Sequence, residues 1–258
     1  MKLFSRTLIL LALLLAGPGL ASMTGCARLS GDWSTASRES AHLAPDPART
    51  PEALVQVYAA RAFKWRGAFA VHSWIAVKPA GAASFTVYEV TGWGVRHGGD
   101  AISIEEDAPD RYWYGARPEL LAELRGPKAT SAIAKISAAV AAYPYPHSYT
   151  TWPGPNSNTF VAHVLRQVPE LRADLPPTAI GKDYLPNNAV VAATPSGTGG
   201  QVSLFGLAGI AIGIEEGIEV NVLGLGFGID PGELALRLPG LGKLGFRTGL
   251  RQAAPANP

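Results

Sequence analysis

Cysteine is almost absent from this sequence, since Cys26 is the single one among 258 residues. One cysteine excludes an internal disulfide framework. Histidine is also scarce: five are present, and no pair has a spacing typical of zinc or haem ligands. We therefore expect neither a metal nor a cofactor. Charged residues make up only 16% of the chain and hydrophobic residues 47%, which is enough to bury a sizeable core.

Net charge is nearly absent as well. The formal value is +2, and it comes from the first 25 residues, which contain Lys2 and Arg6 but no acidic residue. The rest of the chain is formally neutral. A neutral chain has no electrostatic attraction for polyanions, so we do not expect nucleic acid as a partner.

The amino terminus has the parts of an export signal. Lys2 and Arg6 precede an apolar run over residues 8–16, and small residues follow it. Gly17 and Pro18 end the run before it is long enough for a typical membrane span. We predict a signal peptide over residues 1–25 and an exported, periplasmic protein.

The lone cysteine closes the motif MTGC, residues 23–26. This motif resembles the lipobox of bacterial lipoproteins, in which the cysteine carries the lipid and becomes the first residue. The resemblance implies a membrane anchor at Cys26. Met23 stands where leucine is usual, and ordinary signal cleavage near Ala21 is the alternative. Residues 26–50 are polar and rich in Ser, Ala and Pro, which is typical of a tether.

The remaining chain is predicted to be one α+β domain over residues 51–250, followed by a tail over 251–258. Helical spacing of apolar residues predicts helices in PEALVQVYAARAF, RPELLAEL, ATSAIAKISAAVAAY and TFVAHVLRQV. Strand-like runs occur in AFAVHSWIAVK, SFTVYEVTGWGV and AISIEED. We expect an antiparallel sheet packed by these helices.

The first two strand-like runs flank the short loop PAGAA and therefore predict a hairpin. A turn near Gly81 places His72 opposite Thr91 and Trp74 opposite Glu89. His72 and Glu89 then share a neighbourhood. A buried carboxylate without a partner costs several kcal/mol, so Glu89 needs either a partner or an exposed sheet face.

The stretch WPGPNSNTF, residues 152–160, leads into the last predicted helix. Asn and Ser are preferred helix caps, so Ser157 has an ordinary structural interpretation. It also has a chemical one, because a serine beside a histidine base and helix-start N–H groups can act as a nucleophile. Both interpretations are open at this point.

The order of these features is a strand histidine, a polar residue on the next strand, and a helix that opens at Asn156-Ser157. It resembles circularly permuted papain-like hydrolases of the NlpC-type and lecithin:retinol acyltransferase-like families, with Ser in place of Cys. The resemblance implies an amide or ester hydrolase or an acyltransferase with Ser157 as nucleophile, His72 as base and Glu89 as orienting residue. Its substrate would be an envelope peptide, glycan or lipid. A binding module that kept the groove without the chemistry is the alternative.

A second resemblance spans most of the chain after the signal. The motifs HSWIAVKPAGA, WPGPNSNTF, LPPTAIGKDYLP and SGTGGQVSLFG are similar to those of a bacterial family, domain of unknown function 3750. This resemblance implies no activity.

Several side chains near these candidates are predicted to line a substrate groove. They are Trp74, Trp93, Trp152, Asn156 and Asn158. Tryptophans beside strands also occur in ordinary cores, which is the alternative for all three.

The carboxyl-terminal third is rich in glycine and predicts a β-hairpin that turns at Glu215–Gly217. The predicted register pairs Ile214 with Ile218 and Ile212 with Val220. One face is then aliphatic, and we expect it to join the core. The other face carries small and polar residues such as Glu219 and is free to accept a helix, a ligand or a membrane.

Overall fold

The computed structural model describes residues 2–25, 27 and 29–245. The protein is α+β, as predicted, and its described residues form two antiparallel sheets. The first sheet has the strand order β4-β3-β2-β1-β5. Its strands are β1 (Leu54–Arg61), β2 (Val71–Lys78), β3 (Thr86–Val90), β4 (Ile102–Glu106) and β5 (Glu119–Arg125). The helices are α1 (Lys2–Met23), α2 (Gly92–Arg96), α3 (Gly126–Ala141) and α4 (Ser157–Gln167).

The second sheet is a seven-stranded meander in which each strand pairs with the next one in sequence. Short turns join its members, as antiparallel neighbours allow. The strands are β6 (Val191–Ala193), β7 (Gly199–Leu204), β8 (Ala208–Gly213), β9 (Gly217–Val222), β10 (Leu225–Asp230), β11 (Ala235–Leu238) and β12 (Gly242–Gly245).

Two segments that were predicted as helices are strands. β1 covers most of PEALVQVYAARAF, and β5 covers most of RPELLAEL. β1 lies between β2 and β5 and is buried on both faces, so its run of apolar residues is almost continuous. A run of that kind is compatible with either a helix or a buried strand, and pairing with two neighbours decides for the strand.

The other predicted elements of the first sheet are confirmed. β2 and β3 form the predicted hairpin, with Ile75 opposite Tyr88 and Ala76 opposite Val87, which is the predicted register. AISIEED contains β4, and the two later helical patterns are α3 and α4.

Two apolar clusters lie on opposite faces of the first sheet. The larger one joins Ile75 and Val77 of β2 to buried residues of α3 and α4. The smaller one holds Tyr58 and Trp74, whose rings stack at 5.8 Å. Because β2 is covered on both sides, a polar side chain on it requires a partner.

The glycine-rich hairpin is present as β8 and β9, but its register differs by two residues from the predicted one. Ile212 pairs with Ile218, and Ile210 pairs with Val220. The prediction that the aliphatic face joins the core is wrong, because these four side chains are 41–55% exposed. The polar face is buried instead, with Glu219 only 3% exposed.

Ion pairs explain why the second sheet buries its polar face. Arg237 of β11 bonds to Asp174 at 2.6 Å and to Glu219 at 2.6 Å. Lys182 reaches the other oxygen of Glu219 at 2.7 Å. Asp174 and Lys182 belong to the segment that follows α4, so these charges join the second sheet to the first.

The predicted tether is partly attached to the domain. The amides of Leu43 and Ala44 donate to the carboxylate of Asp110, and Ser40 donates to it at 2.8 Å. The predicted lipid site at Cys26 and the tail over 251–258 lie outside the described residues. No helix in the described part of the chain is both long and apolar enough to cross a membrane.

Candidate active site at the start of α4

Asn156, not Ser157, caps α4. Its side-chain oxygen accepts hydrogen bonds from the backbone N–H groups of Asn158 at 3.0 Å and Thr159 at 3.2 Å. Thr159 completes a capping box by accepting from the Asn156 N–H at 3.1 Å. Ser157 is therefore the first residue of the helix, and its hydroxyl is not needed as a cap.

The neighbouring Asn158 fastens the start of α4 to β2. Its side-chain oxygen accepts from the Ser73 hydroxyl at 2.8 Å, and its amide nitrogen donates to the Val71 carbonyl at 3.0 Å. Val71 and Ser73 are the two neighbours of His72 in the chain. These bonds hold the helix start at the position of His72 on the strand.

Ser157 is a buried residue, with an exposed fraction of 3%. Within the described part of the chain its hydroxyl has no hydrogen-bond partner. Ser157 and His72 both line one cavity. A hydroxyl without a partner that faces a cavity is available for a ligand or for chemistry.

His72 is paired with Glu89, as the hairpin register predicts. The His72 Nε2 atom lies 2.8 Å from a carboxylate oxygen of Glu89, and both side chains are largely buried. The indole ring of Trp113 stacks on the imidazole, with 3.6 Å between centroids and 7° between planes. Contacts on one edge and one face therefore fix the orientation of the ring.

A second partner holds the Glu89 carboxylate. The guanidinium of Arg111 bonds to its other oxygen at 2.8 Å and to Asp107 at 3.2 Å. Burial alone raises the pKa of Glu89, but the hydrogen bonds and charges of His72 and Arg111 outweigh it and leave the pKa below its ordinary value. Glu89 is thus held in its charged form.

Burial lowers the pKa of His72 below its ordinary value, although Glu89 partly opposes the shift. The imidazole is therefore neutral at pH 7 and carries one ring proton. An ionised carboxylate can only accept a hydrogen bond, so that proton lies on Nε2. The Nδ1 atom is left with a free lone pair, which is the requirement for a general base.

The cavity beside Ser157 and His72 has a volume of about 600 Å³, and we call it the aromatic cleft. None of the described residues that line it is acidic, and three of them are basic: Lys64, Arg66 and Arg96. Its aromatic lining comes from Trp33, Phe63, Trp65, Phe69, Trp93, Trp113, Tyr114, Tyr149 and Trp152. The cleft thus combines aromatic walls with positive charge.

The predicted groove residues divide into two groups. Trp93 and Trp152 line the aromatic cleft and are each 49% exposed. Trp74 does not line it: its ring is fully buried in the smaller core cluster, and its N–H donates to the Pro109 carbonyl. Asn156 and Asn158 border the cleft, but their amide groups are bonded within the protein.

Arg111 and Trp113, which complete the His72 environment, were not predicted from the sequence. Both belong to the loop between β4 and β5, where the letters RYWYG stand. An arginine four residues after Asp107, inside an aromatic cluster, is a weak signal. It gains meaning only when the fold brings the loop against β2 and β3.

Fold and site together define a class: an α+β protein whose antiparallel sheet carries a buried His–Glu pair, held by a loop arginine, beside a helix start. Residues 52–184 match the model of the family described as protein of unknown function (DUF3750). The match covers more than half of the chain, and the protein belongs to this family. No curated protein and no solved structure matches the chain.

Proposed function

We propose that this protein is a serine-type amide or ester hydrolase, or an acyltransferase, of the cell envelope. Ser157 is the nucleophile, His72 the general base and Glu89 the residue that orients the base. The observation that carries the proposal is the bonding of Asn158 to both chain neighbours of His72. These bonds support a site in which the Ser157 hydroxyl, which has no partner, and the His72 imidazole both line the same cleft.

The chemistry follows from the position of the proton on His72. The Ser157 oxygen attacks the carbonyl carbon of an ester or amide, and its proton moves to Nδ1 of His72. Glu89 stabilises the imidazolium that forms, and the proton then passes to the leaving alcohol or amine. Water attacks the acyl-serine in a hydrolase, whereas a second alcohol or amine attacks it in a transferase.

The order of the site residues along the chain adds support. A histidine on one strand, a polar residue on the next strand and a nucleophile at a helix start also describe the permuted papain-like hydrolases. In those families the nucleophile is cysteine, which can lose its proton before the attack. Ser157 cannot, so it depends on a base that is neutral and fixed in orientation, as His72 is.

The lining of the aromatic cleft favours one kind of substrate. Aromatic walls bind apolar or ring-shaped groups, and an all-basic set of charged residues favours negative charge. Among envelope peptides, glycans and lipids, we therefore expect a substrate that has an apolar or aromatic group next to an anionic one. No cofactor enters the proposed reaction.

The proposed location follows from the amino-terminal sequence alone. The export signal and the MTGC motif favour a periplasmic lipoprotein that is attached to the membrane at Cys26. Mass spectrometry of the mature amino terminus tests this: a chain that starts at a lipid-modified Cys26 supports the anchor. A chain that starts elsewhere, with Cys26 unmodified or absent, contradicts it.

A non-catalytic binding module is the second candidate, and one observation favours it. The N–H groups of Asn158 and Thr159 are already bonded to Asn156, so the helix start has few free donors for an oxyanion. In such a module the aromatic cleft holds a ligand, and Ser157 contributes one hydrogen bond to it.

Labelling with a fluorophosphonate probe separates the two candidates, because the probe reacts only with an activated serine. The enzyme proposal predicts labelling of the wild type and none of Ser157→Ala or His72→Gln. Ser137→Ala on α3 and His163→Gln on α4 are matched controls and should keep the label. A wild type that stays unlabelled, or labelling that persists in Ser157→Ala, contradicts the enzyme proposal.

A further inference from the structure

The outward face of the second sheet is apolar from one edge to the other. One row of cross-strand neighbours consists of Ile212, Ile218, Ile229, Leu236 and Leu244 on β8 to β12. These side chains are 41–55% exposed. Contiguous exposure of this kind differs from the scattered apolar residues that are normal on protein surfaces.

A parallel row extends the same face to the opposite edge. It consists of Val191, Val202, Ile210 and Val220 on β6 to β9. All four residues are at least 41% exposed. We call the two rows the aliphatic face. Every outward position of β6 to β12 within the described residues is apolar or glycine, so the face contains no charge and no side-chain hydrogen-bonding group.

The size of the aliphatic face is compatible with a stable interface. Seven strands spaced by about 4.8 Å, with roughly 15 Å of strand length each, give an area on the order of 500 Å². The largest apolar patch of an ordinary monomer is about 300–600 Å², and such patches are often functional. Two such faces in contact remove on the order of 1,000 Å² of surface from water, which is about the area a specific interface requires.

We propose that the aliphatic face is the interface of a homodimer, in which a second copy of this chain packs its own aliphatic face against it. The absence of charge means that two identical faces meet without repulsion. Sheets that pack face to face lie about 10 Å apart, and their aliphatic side chains interdigitate between them. Valine and isoleucine suit that packing. A two-fold axis near β9, the central strand, brings the two faces into register.

Other occupants fit this face less well. Surfaces that bind membranes carry Lys or Arg, with Trp or Tyr at the headgroup level, and the outward positions of β6 to β12 carry none of these. Residues 246–258 contain only two large apolar side chains, Phe246 and Leu250, which are too few to cover the face. In the described part of α1, Gly17 lies next to Pro239 in the turn between β11 and β12. This contact is outside the two rows of the aliphatic face.

Cysteine crosslinking in cells that express the full chain tests the proposal. Val220 lies on the central strand, and packed sheets are about 10 Å apart, which is too far for a direct disulfide. A bismaleimide that spans about 10 Å should therefore join Val220→Cys to its counterpart and shift the protein to twice the monomer mass. Lys128→Cys on the exposed first turn of α3 is the matched control and should remain monomeric, as should the chain without an added cysteine. Ile218→Cys, on the same strand, provides a second reading of the face.

A substitution test accompanies the crosslinking. Val220→Glu places a charge at the centre of the face and should convert the dimer to a monomer in sedimentation experiments on the purified protein. The proposal is overturned if Val220→Cys and Ile218→Cys fail to crosslink yet react with maleimide in the native protein. It is also overturned if the wild type sediments as a monomer, and flotation with phosphatidylglycerol vesicles would then assign the face to lipid.

Discussion

The two sheets of this protein differ in which face they bury: the first buries apolar faces, and the second buries its polar face. In its inner strands the first sheet buries apolar residues on both faces, and the buried polar groups there are paired, as at His72 and Glu89. The second sheet buries a charged network that includes Glu219 and Arg237 and turns its aliphatic side outwards. Alternation along a strand therefore reveals that two faces differ, but not which of them lies inside.

The buried charges of the second sheet depend most strongly on Arg237, which is fully buried beneath that sheet. Arg237→Ala leaves Asp174 and Glu219 without this partner, and removing one member of a buried pair costs about 3–5 kcal/mol. Urea unfolding measures the loss. Lys135→Ala is the control, since it breaks a partly exposed pair with Glu170 and should cost less than about 1 kcal/mol. A similar small loss in both variants would show that the buried network is not what joins the sheets.

The next largest effect concerns the apolar core of the first sheet. Ile75→Ala removes a fully buried side chain between β2 and the helices, so we expect a loss of about 2–5 kcal/mol. Ile104→Ala on the edge strand β4, where the side chain is 54% exposed, is the matched control. Its expected cost is within about 0.5 kcal/mol, as for other exposed positions. Equal costs in urea unfolding would mean that Ile75 is not packed between β2 and the helices as described.

A smaller effect distinguishes the cap of α4 from the proposed nucleophile. Asn156→Ala removes the side chain that caps the helix and should lower the free energy of unfolding by about 0.5–2 kcal/mol. Ser157→Ala removes a hydroxyl without a partner in the described structure and should stay within about 0.5 kcal/mol of the wild type. Chemical denaturation of both variants gives the comparison. If Ser157→Ala lowered the free energy of unfolding more than Asn156→Ala did, Ser157 would be the capping residue.

The smallest expected effect is a change in the pH dependence of stability. Burial holds the pKa of His72 below its ordinary value of 6.5, so the unfolded chain binds more protons once the pH falls below that value. The contribution of His72 to the free energy of unfolding is therefore fully present above pH 6.5 and is lost as the pH falls. Glu89, whose pKa is lowered from 4.5, adds its own loss only at lower pH.

His72→Gln should make the decline between about pH 6.5 and pH 5 shallower than in the wild type. Urea unfolding at a series of pH values measures the two slopes. His97→Gln, at an exposed position after α2, is the control and should follow the wild type. Parallel slopes for the wild type and His72→Gln would show that His72 is not buried in its neutral form.

Local patterns predicted the parts of the fold in which local and tertiary preferences agree. The β2–β3 hairpin has a turn sequence and a pattern that permit one register, so the meeting of His72 and Glu89 followed. α3 and α4 have apolar stripes with a polar opposite side. The prediction of a helix was wrong at β1 because a strand buried on both faces loses its alternation of apolar and polar residues. It was wrong at β5 because helical spacing also occurs by chance in a short strand.

The remaining features depend on contacts between distant segments. Arg111 and Trp113 join the site through the fold of a loop, and neither has a local pattern that marks it. The inversion of the second sheet depends on Asp174 and Lys182, which lie far from their partners Arg237 and Glu219 in the chain. The sequence contained these charges, but only the tertiary structure pairs them.

The most direct test of the central claim is the thiol pKa of a Ser157→Cys variant, obtained from the pH dependence of its alkylation. The His72 imidazole can accept the thiol proton, and the resulting thiolate–imidazolium pair beside a helix start should lower that pKa below the value of about 8.5 for a free thiol. Thr130→Cys, at an exposed position near the start of α3, is the control without a histidine, and the chain without an added cysteine gives the background. The proposed site requires a lowered thiol pKa that returns towards the ordinary value when His72→Gln is added. Identical profiles for Ser157→Cys and Thr130→Cys would contradict it.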